Sequence, residues 1–216
     1  MFFDVDGVVI DGWHAKPERR NPWDATIEED LGINPEALRC ALFVPSTRGG
    51  EAPISRCARG EGDLKAVLAE VLPKLSYQGS VDTFVDYWFR KDSNLNQDVL
   101  KVVRRLKRND SVALYLATGQ EHYRAAYLWN GLGLKALFDG MFYSARMGVL
   151  KDDIDFFAKI NAQLGIAPSE RPLFFDDMET VVRTARSAGW DAHVFDTVED
   201  LTRNSRLSRM LVAEDD

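Results

Sequence analysis

From about Ser111 onward, short apolar runs rich in β-forming residues alternate with stretches whose apolar positions recur at helical spacing. That alternation is the pattern of a parallel sheet covered on both faces. Strands are predicted at Ser111–Leu116, Gly140–Tyr143, Pro172–Phe175 and Ala192–Phe195, with Met1–Asp4 supplying another at the start of the chain. Helices are predicted between them at Glu121–Leu132, Asp153–Leu164 and Met178–Ala188; in the last, Val181, Ala185 and Ala188 mark one buried face. Thr197 followed by Asp200 resembles a capping box opening a last helix, ahead of an acidic tail expected to fray.

The stretch from His14 to Asp92 breaks the alternation. Helical patterns occur at Pro35–Phe43, Asp63–Leu75 and Ser80–Arg90, with no strand pattern, and Val44–Gly62 has the Gly, Pro, Ser and Arg content of a loop. The expected organisation is an α/β core from residues 1–13 and 93–216, interrupted by an inserted all-helical unit over residues 14–92. Only three residues precede Asp4, short for a central strand, so the start of the chain is expected to be incomplete or placed late. There is no internal repeat, heptad pattern or low-complexity tract.

With 216 residues and 45% hydrophobic content, the chain can bury one sizeable α/β core and a small insertion. A formal net charge of -7 argues against a nucleic-acid or anionic-membrane partner. The basic run Lys101, Arg104, Arg105, Lys107 and Arg108 is interleaved with Val99, Val102, Val103 and Leu106 at helical spacing, so it reads as a solvated helix face. Cys40 and Cys57 have neither metal-ligand spacing nor the number for a disulfide framework. No apolar run approaches the ~18 residues of a membrane span. An acid at position four excludes a signal peptide from the visible start. A soluble cytoplasmic protein, monomeric or a small homo-oligomer, is expected.

The candidate chemistry lies where the predicted strands end. Asp4-Val5-Asp6-Gly7 places two carboxylates two residues apart, hence on one side of an extended strand, before a glycine that lets the chain turn. Ligands of open α/β sheets bind at that end, and paired carboxylates suit a hard divalent cation such as Mg²⁺. Three further segments end alike: Ser111–Leu116 leads to Ala117-Thr118-Gly119, Gly148-Val149-Leu150 to Lys151, and Pro172–Phe175 to Asp176-Asp177. Taken alone, Thr118-Gly119 also fits a turn, and Asp176-Asp177 the N-cap of the helix beginning at Met178.

Together, Asp4-Val5-Asp6-Gly7-Val8, Thr118, Lys151 and Asp176-Asp177 resemble the four ordered motifs of the haloacid dehalogenase-like superfamily. The stretch from Leu132 to Lys151 resembles the linker of its helical-cap subgroup. The resemblance covers about Met1 to His14 and Asn94 to Phe195, and across the insertion is architectural only. It implies a three-layer Rossmann-like sheet of strand order 5-4-1-2-3, a helical cap, and Mg²⁺-dependent hydrolysis of a small phosphomonoester. Asp4 is then the nucleophile and Asp6 the general acid and base. The metal is held by Asp4, the Asp6 carbonyl and Asp176 or Asp177, while Thr118, Gly119 and Lys151 bind the phosphoryl oxygens. Asp6 disfavours dehalogenation, which needs no leaving-group proton. Thr180, where close relatives commonly have asparagine, and Glu179 depart from the pattern.

Substrate selection is expected from the cap. Arg48, Arg56 and Arg59 in the Gly/Pro-rich segment are candidates for binding a second anionic group, with Trp13 and His14 beside the first motif. Phosphomutase, dehalogenase and non-catalytic phospho-ligand binding are the rival readings.

Overall fold

The computed structural model describes residues 1–12, 21–45, 47–48, 50–108 and 112–212. Trp13 and His14, and the acidic tail over 213–216, lie outside them.

Strand β1 (Phe2–Phe3) precedes five helices: α1 (Ile27–Leu31), α2 (Pro35–Phe43), α3 (Pro53–Ala58), α4 (Leu64–Val71) and α5 (Val81–Lys91). Then α6 (Gln97–Arg108) leads to β2 (Tyr115–Thr118), α7 (His122–Ala126), β3 (Gly140–Tyr143), α8 (Ser144–Met147) and α9 (Ile154–Leu164). The order ends with β4 (Leu173–Asp176), α10 (Glu179–Ser187), β5 (Asp191–Val194), α11 (Val198–Arg203) and α12 (Ser205–Val212).

All strand pairs are parallel, in the order β3-β2-β1-β4-β5. Read from the other edge this is 5-4-1-2-3, the order the resemblance implied. Strand β1 is central although only two residues long. Phe2 pairs with Tyr115 and Phe174, and Phe3 with Leu116 and Phe175. Bonds from Tyr115 N to Met1 O and from Asp4 N to Phe175 O, both 2.9 Å, extend the pairing at each end. The two phenylalanines leave on opposite faces. Phe2 packs with Phe157, Phe174 and Trp190 beneath α9 and α10, and Phe3 with Phe175, Val103 and Leu106 beneath α6. Each is buried, worth roughly 1.5–3 kcal/mol per side chain, and this anchors the short strand.

Helices α1 to α5 close over a separate apolar cluster that includes Ile33, Leu38, Leu68, Phe84 and Trp88. Tyr123 and Tyr127 reach it from the sheet side. Side-chain caps start the helices where the sequence offers them: Asn34 accepts from Ala37 N, Asp63 from Ala66 N and Ser80 from Thr83 N. The Thr197–Asp200 capping box is formed at α11. Helix α6 buries Val99, Val102, Val103 and Leu106 and exposes Lys101, Arg104 and Arg108, the solvated face that its spacing predicts.

Several elements differ from expectation. The segment 44–62, read as loop, contains α3, which starts with Pro53 at its first turn and buries only Cys57 among its residues. One buried position cannot produce a periodic signal. Similarly α1 buries only Ile27, and α8 occupies part of the stretch read as linker. Helix α7 ends at Ala126 and continues as a π-helical turn over Tyr127–Gly131. Strands β2 and β4 run on to include Thr118 and Asp176 as their last members.

Candidate active site

The chain turns immediately after β1. Gly7 N and Ile10 N bond to Ile10 O and Val5 O, at 2.8 and 2.7 Å, closing a tight loop. Gly7 has φ +87°, and a Cβ placed there would collide with the Asp177 carboxyl group. Glycine is therefore required twice over, for the left-handed backbone and for the approach of Asp177.

Asp4, at the tip of β1, is buried and bonds to Lys151, Nζ to Oδ2 at 2.7 Å. The same Nζ donates to Asp176 Oδ2 at 2.8 Å, and Asp176 Oδ1 accepts from Met178 N at 2.9 Å. One oxygen from each of Asp4, Asp176 and Asp177 lies within 4.8 Å of the others, and Asp4 Oδ1 has no hydrogen-bond partner. Three carboxylates thus share one ammonium. Burial pushes the Asp4 carboxyl well above its ordinary range, a rise that Lys151 opposes and Asp176 reinforces. Burial, then Asp176, raises Asp177 to about 6. For Lys151 burial acts downward, but Asp4 and Asp176 outweigh it and hold the ammonium protonated. An orphaned buried oxygen inside an oxygen-only cluster with excess negative charge fits a hard divalent cation.

Asp6 belongs to a different neighbourhood. Its carboxylate accepts from Gln120 Nε2 and lies 3.9 Å from Arg124 Nη2. Gln120 Nε2 also contacts Thr118 Oγ1 at 3.3 Å, joining the ends of β1 and β2. Glu121 caps α7, accepting from Tyr123 N at 2.7 Å and from Arg124 N. Arg124 is buried and donates to Phe89 O at 2.9 Å, Ser93 Oγ at 2.8 Å and Asp92 O. Asp92 Oδ2 lies 4.0 Å from its guanidinium. Burial, then Asp6, raises the Asp92 carboxyl to about 7 against the pull of Arg124.

These groups form the floor of a cavity of about 160 Å³ between the sheet and the helical cluster. Gly7, Gly119 and Gln120 line it from the sheet side, and Phe43, Leu64, Trp88 and Phe89 from the helices.

No family model and no curated protein matches the sequence. Solved structures do. An enzyme of the HAD family from Bacteroides thetaiotaomicron, in a magnesium complex, superposes with a TM-score of 0.64 at 16% identity over 96% of each chain. The fold is that of the haloacid dehalogenase-like superfamily. A predicted HAD-like hydrolase from Porphyromonas gingivalis is similar at a TM-score of 0.62 and 21% identity, covering 97% of this chain and 96% of that one. The L-2-haloacid dehalogenase of Xanthobacter autotrophicus, with chloropropionic acid covalently bound, gives 0.56 at 18% identity, covering 98% of this chain and 81% of its own.

Within this haloacid dehalogenase-like fold, Asp4, Lys151, Asp176 and Asp177 meet at the carboxyl end of the sheet, with Thr118 closing β2 nearby. Gly119 has open space where a side chain would stand. Asp6 differs from expectation. Regular strand ends at Phe3, so strict side-chain alternation does not carry through to Asp6, and its carboxylate turns to Gln120 and Arg124 rather than joining the Asp4 cluster. The metal role that the resemblance implied for Asp6 is its backbone carbonyl, which this turn of the side chain leaves unaltered. The arginines of the insertion do not line the cavity. Arg48 and Arg56 are exposed, and Arg59 is held by Glu51 at 2.5 Å and Glu61 at 3.2 Å. Sequence reasoning missed Gln120, Glu121, Arg124 and Asp92. Glu121 carried a signal, an acid two and three positions before the amides that it caps; Gln120 acquires its role by bridging Asp6 and Thr118, and Arg124 and Asp92 acquire theirs where α7 meets the end of α5.

Proposed function

We propose that the protein is a Mg²⁺-dependent phosphomonoester hydrolase working through an aspartyl-phosphate, with residues 14–92 acting as a cap over the site. The observation that carries this reading is the Asp4–Lys151–Asp176 cluster, with its unpartnered Asp4 Oδ1, set against a separately held Asp6. Structures of the similar Bacteroides enzyme with magnesium and inorganic phosphate support it. So does the sheet topology, which sets the ends of β1, β2 and β4 side by side, with Lys151 reaching them from the turn after α8.

In this reading Asp4 attacks phosphorus in line and carries the phosphoryl group as an acyl phosphate. A carboxylate approaching a phosphate meets repulsion of roughly 4 kcal/mol per charge pair at ~4 Å and an effective dielectric near 20. Lys151 opposes that repulsion with a charge already fixed in place. Asp4, Asp176 and Asp177, with the Asp6 carbonyl, would hold the metal, which when bound supplies further positive charge against the phosphoryl oxygens. Thr118 and the Gly119 amide donate to those oxygens. Asp6 protonates the departing alcohol and then takes a proton from the water that cleaves the intermediate. Gln120 and Arg124 hold its carboxylate toward the cavity where the alcohol departs.

The Xanthobacter neighbour makes dehalogenation the rival activity. Asp6, held by the Gln120 amide and flanked by the Arg124 guanidinium, is idle in that reaction and used in the hydrolysis of an ester. The test is purified protein with Mg²⁺ and p-nitrophenyl phosphate, beside the same protein with 2-chloropropionate. Phosphate release without a bisphosphate activator is expected, with a fall on the order of 10³-fold or more in Asp4→Asn. Halide release, or phosphate release that Asp4→Asn leaves intact, would refute the assignment.

A further inference from the structure

If phosphate sits at Asp4, the alcohol it is esterified to must occupy the adjoining cavity, so the cavity's chemistry fixes a substrate class provided the phosphohydrolase reading holds. The space of about 160 Å³ is comparable to one that takes a benzene-sized group, and so holds roughly six non-hydrogen atoms. Its helical wall is apolar and aromatic, from Leu64, Trp88, Phe89 and Phe43. Its charged lining is three acids, Asp6, Asp92 and Glu121, against one cation, Arg124.

That cation is already engaged. Three of its donor directions go to Phe89 O, Ser93 Oγ and Asp92 O, and the carboxylates of Asp6 and Asp92 flank it at 3.9 and 4.0 Å. A second anionic group on the substrate would find no ready counter-charge among the described lining residues, and would face acids. The negative charge of Glu121 is met by the first amides of α7. Asp92 is met by Arg124, at 4.0 Å; it stands at the end of α5, and it also borders a second cavity of about 270 Å³ lined by Trp23, Phe43 and the Arg39–Asp24 pair, in which the arginine is already bound. Aromatic faces and a carboxylate together are the surroundings that favour an ammonium group.

We propose that the substrate is the phosphate ester of a short amino alcohol, its carbon chain against Leu64, Trp88 and Phe89 and its ammonium facing Asp92. Guanidinium recognition of a second anion, which the arginines of the insertion implied, is replaced by selection for positive charge.

Three esters of similar length test this at pH 8: phosphoethanolamine, n-propyl phosphate and phosphoglycolate, ending in ammonium, methyl and carboxylate. The expected order of kcat/KM is ammonium, then methyl, then carboxylate, with about tenfold or more between first and last. In Asp92→Asn the preference for ammonium over methyl should collapse toward unity. Equal or better turnover of phosphoglycolate, or of the propyl ester, overturns the proposal, and this wild-type ranking decides the matter even if the variant does not fold. p-Nitrophenyl phosphate separates the two levels. If it is hydrolysed while the ranking fails, only the amino-alcohol assignment falls; if neither it nor any ester is hydrolysed, both readings fall.

Discussion

Asp4 is 4% exposed and bonded to an ammonium at 2.7 Å, whereas Asp6, two residues further along the same turn, is 45% exposed and faces an amide and a guanidinium. The first is buried beside Lys151, Asp176 and Asp177. The second opens on a cavity that a ligand can enter. Two carboxylates of equal intrinsic acidity are thereby given different work, because environment rather than residue type sets what each can do. Gly7 follows them: its left-handed backbone leaves room for Asp177, which joins the Asp4 cluster, while the Asp6 carboxylate meets Gln120 beyond β2.

Breaking the buried side should have the largest effect. Lys151→Met removes the one ammonium that three carboxylates share and is expected to cost about 3–5 kcal/mol of stability, as for a buried charge left unpaired. Urea denaturation at neutral pH measures it, and added Mg²⁺ should recover part of the loss. A cost below about 1 kcal/mol would mean that the acids tolerate one another without help.

On the open side, Asp6→Asn should leave stability nearly unchanged but slow hydrolysis of an alkyl phosphate by about 10²–10⁴-fold, the range for a lost general acid. Because nitrophenolate leaves without a proton, its ester should suffer much less. Equal losses for both leaving groups would assign Asp6 some other task.

The smallest effect sharpens the electrostatics of the cavity. Asp92 titrates at about 7 in the folded chain, against an ordinary 3.8. The folded state therefore binds its proton more tightly than the unfolded one. The associated stability is fully present below about pH 4 and is lost as pH rises through 7. Asp92→Asn escapes that loss, so its melting temperature should gain on the wild type between pH 5 and pH 8, by the equivalent of ~2–3 kcal/mol. A constant difference across that range would show that the carboxyl group is not strained.

Much of this was legible in the sequence where the signal is local. Each motif residue ends or directly follows an apolar run, and a parallel sheet collects its strand ends on one edge, so Asp4, Thr118 and Asp176 could be named from the sequence; Lys151 follows a turn after α8 and was named by the ordered motif rather than by a strand. Helices α2 and α5 showed because their buried residues recur at helical spacing, Leu38 and Leu42 in the first and Phe84, Tyr87 and Trp88 in the second. Helices α1 and α3 did not, each burying a single apolar residue. The cavity was illegible for a different reason. Arg124 sits within a short helix and Asp92 at the edge of the insertion, and only the meeting of α7 with the end of α5 sets the buried guanidinium beside the half-buried carboxylate. The arginines that composition did highlight are spent on the surface, Arg59 on two glutamates of its own segment.

Arg124 projects from a helix that starts on the sheet, yet its guanidinium ends on the carbonyls of Phe89 and Asp92, where the helical insertion rejoins the core. Removing that guanidinium would strand two carbonyls at the junction of the insertion and the core. The same loss would leave the Asp6 carboxylate with Gln120 alone, so one buried side chain links the fastening of the insertion to the setting of Asp6.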